Sequence, residues 1–107
     1  MAYDITRHPR VESDLQSIHR LIEDYAGRAS ADRKIVDIVR FIDRLTDFPK
    51  IGTVRADVVE GMRAIPASDK ATVCFVVDDV RMSVFILGVS YAGADWQKQM
   101  LDRKSSG

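Results

Sequence analysis

The sequence predicts an α+β domain in which a helical hairpin packs on a small, mostly antiparallel sheet. Three observations predict it. Two successive segments before residue 48 each carry one apolar stripe at helical spacing. Two later runs, 71–77 and 83–90, are apolar on both faces and are separated by the short charged connection Asp78–Met82. A short alternating segment opens the chain. The resulting order is β-α-α-β-β-β, with the stretch from Gly61 to Trp96 at its centre.

Residues 2–7 alternate apolar and polar and form the first strand. His8-Pro9 stops it, and Pro9 suits the first turn of a helix because its missing N–H has no partner there anyway. The first helix runs to about Gly27. Val11, Leu15, Ile18, Ile22 and Tyr25 make one stripe, with Glu12, Asp14, Arg20, Glu23 and Asp24 off it in water. Gly27 is the expected stop. Ser30 is the expected cap of the second helix, with Asp32 in its first turn. That helix runs to about Asp47 with Ile35, Ile38, Val39, Ile42 and Leu45 inward, widened by Val36 and Phe41. A connection of about four residues makes the two an antiparallel αα-hairpin.

Pro49 disfavours the helical conformation at Phe48 and ends the second helix. Residues 50–60 read equally as a loop or as a short extended piece. A strand over 61–67 places Met62 and Ala64 on one side and Arg63 and Ile65 on the other. Ser68-Asp69-Lys70 turns the chain. In the next strand Val73, Phe75 and Val77 oppose Cys74 and Val76; in the last, Phe85, Leu87 and Val89 oppose Val84 and Ile86. One hairpin covers one face of such a sheet, so the other needs the tail from Trp96 to Leu101, a second copy or a partner. Residues 94–103 are expected to form a short amphipathic helix with Trp96, Met100 and Leu101 inward. The domain is read as residues 1–103, with 104–107 a disordered tail.

The 107 residues fit one domain, which buries roughly two-thirds of the surface of its unfolded chain. Basic and acidic residues balance at 16 each, which argues against a domain that grips nucleic acid mainly through phosphates. The lone Cys74 forms no internal disulfide and sits in an apolar strand, as in a reducing compartment. No apolar run approaches the roughly 18 residues of a membrane span, and the N-terminus lacks a signal-peptide core. A cytoplasmic location is expected. The two histidines and one cysteine are dispersed and the glycines are isolated, so neither a metal cluster nor a phosphate loop is read and no cofactor is expected.

Few residues stand out for chemistry. Asp78-Asp79 suits a solvated turn. Arg63 suits an anion contact or a structural ion pair with Glu60, Asp78 or Asp79. Tyr91 and Trp96 bracket an Ala-Gly-Ala turn and suit either base stacking or a lid on the core. His19 is expected to be half-buried beside the first stripe.

The order of several short motifs carries a resemblance. His8-Pro9 with Val11-Glu12-Ser13-Asp14-Leu15 opens the first helix, and Phe48-Pro49-Lys50-Ile51-Gly52 closes the second. Arg55, Gly61-Met62-Arg63, the strand pair ending at Asp78-Asp79, and Tyr91 to Asp95-Trp96 follow. Over about residues 3–97 the chain resembles the RelE/ParE superfamily of type II toxin–antitoxin toxins, closer to the ParE, plasmid-stabilisation branch. The resemblance implies a growth-inhibiting toxin neutralised by a cognate, ParD-like antitoxin whose C-terminal segment wraps it. For the ParE branch it implies poisoning of DNA gyrase by binding. For the RelE branch it implies cleavage of messenger RNA on the ribosome. A member that only engages its antitoxin is a third reading, and a homodimer or a toxin–antitoxin hetero-oligomer is compatible with all three.

A ribonuclease of this kind needs a base for the 2′-hydroxyl, cations for the phosphate and an acid for the leaving oxygen. The positions where the RelE branch carries them read Lys70-Ala71-Thr72 and Val89-Ser90-Tyr91-Ala92-Gly93 here. Arg63, Lys70 and Tyr91 are the remaining catalytic candidates, a set without a clear base and acid. The sequence therefore favours a gyrase-binding toxin that is not an enzyme. Arg55, Arg63, Tyr91, Trp96 and Lys98 are its candidate binding residues. Asp95 and Asp102 dilute the basic C-terminus common in that branch.

Overall fold

In the computed structural model, which describes residues 2–68, 70–92 and 95–106, strand β1 (Asp4–Arg7) leads into helices α1 (Val11–Ala26) and α2 (Arg28–Arg44). Strands β2 (Thr53–Val54), β3 (Met62–Ser68), β4 (Ala71–Asp78) and β5 (Ser83–Tyr91) follow, and helix α3 (Trp96–Ser106) closes the chain. The sheet has five strands in the order β1-β5-β4-β3-β2. Pairing is antiparallel except between β1 and β5, where the helical hairpin supplies the crossover that parallel strands require. The ambiguous stretch after Pro49 contributes the two-residue edge strand β2, and Val58 and Val59 beyond it are buried.

The α1 stripe packs as its spacing predicts through Val11, Leu15, Ile18 and Ile22, but Tyr25 is exposed and donates or accepts only at its hydroxyl. On α2 Ile38 and Ile42 are fully buried beside Phe41, as is its C-cap Leu45, and Val36 faces solvent. Side chains of this kind each contribute about 1.5–3 kcal/mol of burial, enough to hold the hairpin on the sheet despite its lack of side-chain caps. Helix α1 begins at Val11, so Pro9 precedes it rather than occupying its first turn.

The helix connection is shorter than the four residues expected. Gly27 alone separates α1 from α2, so Ser30 lies inside α2 and caps nothing. Gly27 has φ 91° and ψ 166°, a region that residues with a Cβ avoid, and it serves as the C-cap of one helix and the N-cap of the next. Nothing lies within 4 Å of a Cβ built there, so substitution costs backbone strain, not a clash. Gly27→Ala is expected to lose about 1–3 kcal/mol, read as a lower urea midpoint.

The two sheet faces bury separate clusters. Val73, Phe75, Val84, Ile86 and Val89 lie under the hairpin; Cys74, Leu87, Met62, Val58, Val59 and Met100 lie on the other face. Val89 thus sits opposite to the face expected for it. The pairing shifts between Cys74, opposite Gly88, and Phe75, opposite Ile86, leaving Leu87 as an extra residue in β5. Such a bulge reverses the in–out alternation, which sends Val89 and Tyr91 to the helical side while Phe85 and Leu87 stay on the other.

Helix α3 does cover part of that second face, through Met100, as the tail was expected to do. Trp96 is half-buried and Leu101 is exposed, not inward. The helix continues through Ser106, so residues 104–106, expected to be disordered, are helical. The Asp95 side chain accepts the Lys98 N–H at 3.2 Å and opens it. Asp69, Gly93, Ala94 and Gly107, each part of an expected turn, helix start or tail, lie outside the described residues. Among the described residues no helix is long and apolar enough to cross a membrane.

Candidate functional site

The structure separates the catalytic candidates. Arg63 on β3 pairs with Phe75, whereas Tyr91 on β5 pairs with Ala71. Those partners on β4 are four residues apart, roughly 13 Å along the strand at about 3.3 Å per residue. Lys70 lies beside Tyr91, in the β3–β4 turn, where its carbonyl accepts the Ala92 N–H at 2.9 Å. Tyr91 is buried in the helical-side cluster, and its hydroxyl meets that of Tyr25 at 2.9 Å. Arg63 forms no ion pair among the described residues, but its charge acts on Asp79.

Asp79 belongs to a small exposed network. It accepts from the Tyr3 hydroxyl at 2.8 Å and pairs with Lys50 at 3.0 Å. These two contacts hold its carboxyl below the usual range. Asp78 accepts the Val80 and Arg81 N–H groups at 3.0 Å each and so shapes the hairpin turn. Both acids of the Asp78-Asp79 pair therefore do structural work in the turn.

Of the binding candidates, Arg55 and Trp96 do come together. The Arg55 guanidinium lies 4.9 Å from the Trp96 ring centroid and grips Asp57 with two hydrogen bonds, at 3.0 and 2.9 Å. Arg55 holds the Asp57 carboxyl low. One face of the indole is thus occupied by a cation, which makes it a packing element between the 55–60 segment and α3. Lys98 is exposed on the same helix. Tyr91 and Arg63 are not part of this group. His19 is half-exposed and bonded to Asp32 at 2.7 Å. Burial pushes the Cys74 thiol up to about 12, so it is not a nucleophile.

A buried polar cluster was not read from the sequence. Arg103 of α3 reaches back over β5 to Asp14 on α1, and both side chains are almost fully buried, at 7% and 11% exposure. Its Nη1 also donates to the Leu87 carbonyl at 3.1 Å, and the second Asp14 oxygen accepts the Val89 N–H at 2.9 Å. Gly88 lies directly beneath: a Cβ there would be 2.1 Å from Arg103 Nη1 and 2.5 Å from Met100 Cε. The bulge exposes the Leu87 carbonyl and Val89 N–H that this pair satisfies. The one available sequence signal was a glycine inside an apolar strand, a mark of close approach.

Beside Arg103 a groove of about 440 Å³ opens on the second sheet face, between α3, the end of β1 and the β4–β5 turn. Val76, Phe85 and Leu87 line it with apolar surface, and His8, Asp78, Arg81 and Lys104 line it with polar and charged groups of both signs. His8 is 8% exposed, its Nδ1 accepts the Arg10 N–H at 3.1 Å, and its ring meets Phe85 edge-on at 6.2 Å. Burial first, then the charges of Arg103 and Arg10, lower the His8 pKa from 6.5. The fold therefore prefers the neutral ring. This contribution to stability is complete above pH 6.5 and is lost as pH falls from there to the lowered folded value. Accordingly, the wild-type urea midpoint should fall more between pH 7.5 and 5.5 than that of His8→Gln.

Among the described residues no group of three or more His, Cys, Asp or Glu is placed to hold a metal ion. No protein-family model matches the chain, and no curated protein matches it. Solved structures do match. A chromosomal ParDE toxin–antitoxin system of P. aeruginosa aligns with a TM-score of 0.72 at 20% identity, over 85% of this chain and 97% of that one. A RelBE toxin–antitoxin complex of Mycobacterium tuberculosis aligns at 0.63 and 17% identity, over 86% and 100%. A mutant of the E. coli toxin RelE in the free state aligns at 0.59 and 18% identity, over 97% and 98%. The chain shares its fold with these solved toxin–antitoxin and toxin structures.

Proposed function

We propose that this chain is the toxin of a type II toxin–antitoxin pair, that it arrests growth by binding DNA gyrase, and that a cognate antitoxin neutralises it. The observation that carries the non-enzymatic half of this reading is the dispersal of the catalytic candidates. Arg63 stands roughly 13 Å along the sheet from Tyr91, whose hydroxyl is engaged by Tyr25. General acid–base chemistry on a 2′-hydroxyl needs its groups within hydrogen-bond reach of one phosphate. The shared fold with toxin structures supports the toxin half, and the partly covered second face of the sheet supports an antitoxin partner.

Induced alone, the chain should arrest growth, and co-expression with the product of an abutting short reading frame should relieve the arrest. Purified protein should block gyrase supercoiling. Tyr91→Phe removes the hydroxyl contact with Tyr25, worth about 1 kcal/mol, and should leave the arrest intact. Arrest abolished by Tyr91→Phe, with messenger cleavage in place of gyrase inhibition, would establish the ribonuclease reading instead. An absence of any growth defect would leave only a module that engages an antitoxin.

A further inference from the structure

Helix α3 is held to the sheet by few anchors. Among its described side chains only Met100 and Arg103 are buried, and Arg103 is fixed to Asp14 of α1 and to the Leu87 carbonyl. Helices α1 and α2, by contrast, each bury a whole apolar stripe. An element with so few buried contacts is the first to open. Met100 closes a cluster with Cys74, Leu87 and Met62 on the second sheet face, so opening α3 uncovers them.

His8 is buried within reach of the Arg103 charge. Its backbone is held on both sides: its N–H donates to the Ile86 carbonyl at 2.8 Å, and its carbonyl accepts the Val11 N–H at 3.0 Å. Its Nδ1 accepts the Arg10 N–H, so the neutral ring carries its proton on Nε2 and a second proton must enter at Nδ1. There it meets a donor head-on, and the bond to Arg10 is lost. The surrounding charges do not compensate. Arg10 at the corner and Arg103 on α3 repel an imidazolium; Asp14 on α1 attracts it but is already engaged by Arg103. The groove that the ring lines adds Lys104 of α3, Arg81 of the β4–β5 turn and Asp78 of β4. Asp78 is committed to Arg81 and to two turn N–H groups. The facing residues of β1 and β5, Thr6, Ser83, Phe85 and Leu87, are uncharged.

We propose that His8 is a proton-operated latch on α3: a proton at Nδ1 frees the helix from the sheet and uncovers the cluster around Cys74. The backbone of the corner is fixed, so the ring must turn. A turned imidazolium draws on the Asp14 carboxylate at the expense of Arg103, and one that stays repels Arg103. Both weaken the anchor that holds α3. The sign follows from linkage. Burial and the two arginines favour the neutral ring while α3 is docked; once α3 leaves, the ring regains water and its ordinary affinity for a proton. Undocking therefore takes up one proton. The docked form is fully favoured above pH 6.5 and loses ground as pH falls from there towards the lowered docked value. The hairpin and the sheet keep their own core and stay folded. The latch works in this way whatever the chain binds.

The chain supplies its own probes: a single tryptophan, Trp96 on α3, and a single cysteine, Cys74 in the cluster that Met100 closes. Labelling of Cys74 in the full chain by a dithiodipyridine reagent, which reacts with thiols in acid, is followed from pH 7.5 to 5.5. Each rate is divided by that of the same chain unfolded in urea at the same pH. In the wild type the ratio should rise below pH 6.5, by up to about tenfold per pH unit for one proton, together with a shift in Trp96 emission. Amides of α1 and α2 should keep their hydrogen-exchange protection. His8→Gln, which retains an acceptor for the Arg10 N–H but does not titrate, should give a flat ratio, and so should His8→Phe. In the wild type, nitrogen NMR shifts of the His8 ring report the Nδ1 proton without any variant. Protonation at Nδ1 with Trp96 and the α3 amides unchanged would overturn the proposal. So would the same rise in both variants, or a loss of protection throughout the chain in step with labelling.

Discussion

Asp14→Ala is expected to cost about 3–5 kcal/mol of folding stability, the usual loss when one partner of a buried ion pair is removed. Two groups lose the Asp14 carboxylate at once. The Arg103 guanidinium is left charged and 7% exposed, and the Val89 N–H loses its acceptor in the bulge. A surface pair would cost under about 1 kcal/mol, so the size of the effect discriminates burial from mere proximity. Asp14→Leu combined with Arg103→Met should recover only part of the loss, because it removes the buried charge but also takes the partners of the Leu87 carbonyl and the Val89 N–H. Urea unfolding of the single and double variants measures both results. A loss of under about 1 kcal/mol in Asp14→Ala would contradict the arrangement.

Gly88→Val should give the second large effect, about 3 kcal/mol, at the upper end for overpacking. The new side chain collides with Arg103 and Met100, both on α3. Neither can simply swing aside: Arg103 is held by Asp14 and the Leu87 carbonyl, and Met100 is fully buried. The predicted outcome is local. Amides of α3 should lose hydrogen-exchange protection while those of α1 and α2 keep theirs. Equal loss of protection throughout the chain would mean that α3 does not dock as a separate unit.

These two residues also show where the sequence was legible. The apolar stripes of α1 and α2 fix their burial by period alone, because one face of each helix has no stable alternative to the sheet. The two-sided strands announced a core with two faces. Side assignment survived only as far as Leu87. Alternation is a local rule, and a single bulge at Leu87–Gly88 reverses it, so Val89 could not be placed without the pairing register. Asp14 read as a solvated residue off the stripe because its partner lies 89 positions away. Ser30 looked like a cap because it is a good capping residue; Gly27, with a backbone geometry closed to other residues, displaced it. Arg63, Lys70 and Tyr91 were grouped only through the resemblance; the sheet register sets Lys70 beside Tyr91 and keeps Arg63 away from both.

The same register has a consequence for the order in which the molecule is made. The parallel partner of β1 is β5, and Asp14 on the first helix waits for Arg103 on the last. A growing chain can form its helical hairpin early from local contacts, but its first strand has no neighbour until residue 83 and beyond have been synthesised. Fragments ending before β5 should therefore carry a helical hairpin with its apolar stripe uncovered, exposed to proteolysis. Synthesis then acts as a timer: whatever surface the folded domain presents becomes available only after β5 and α3 have been made.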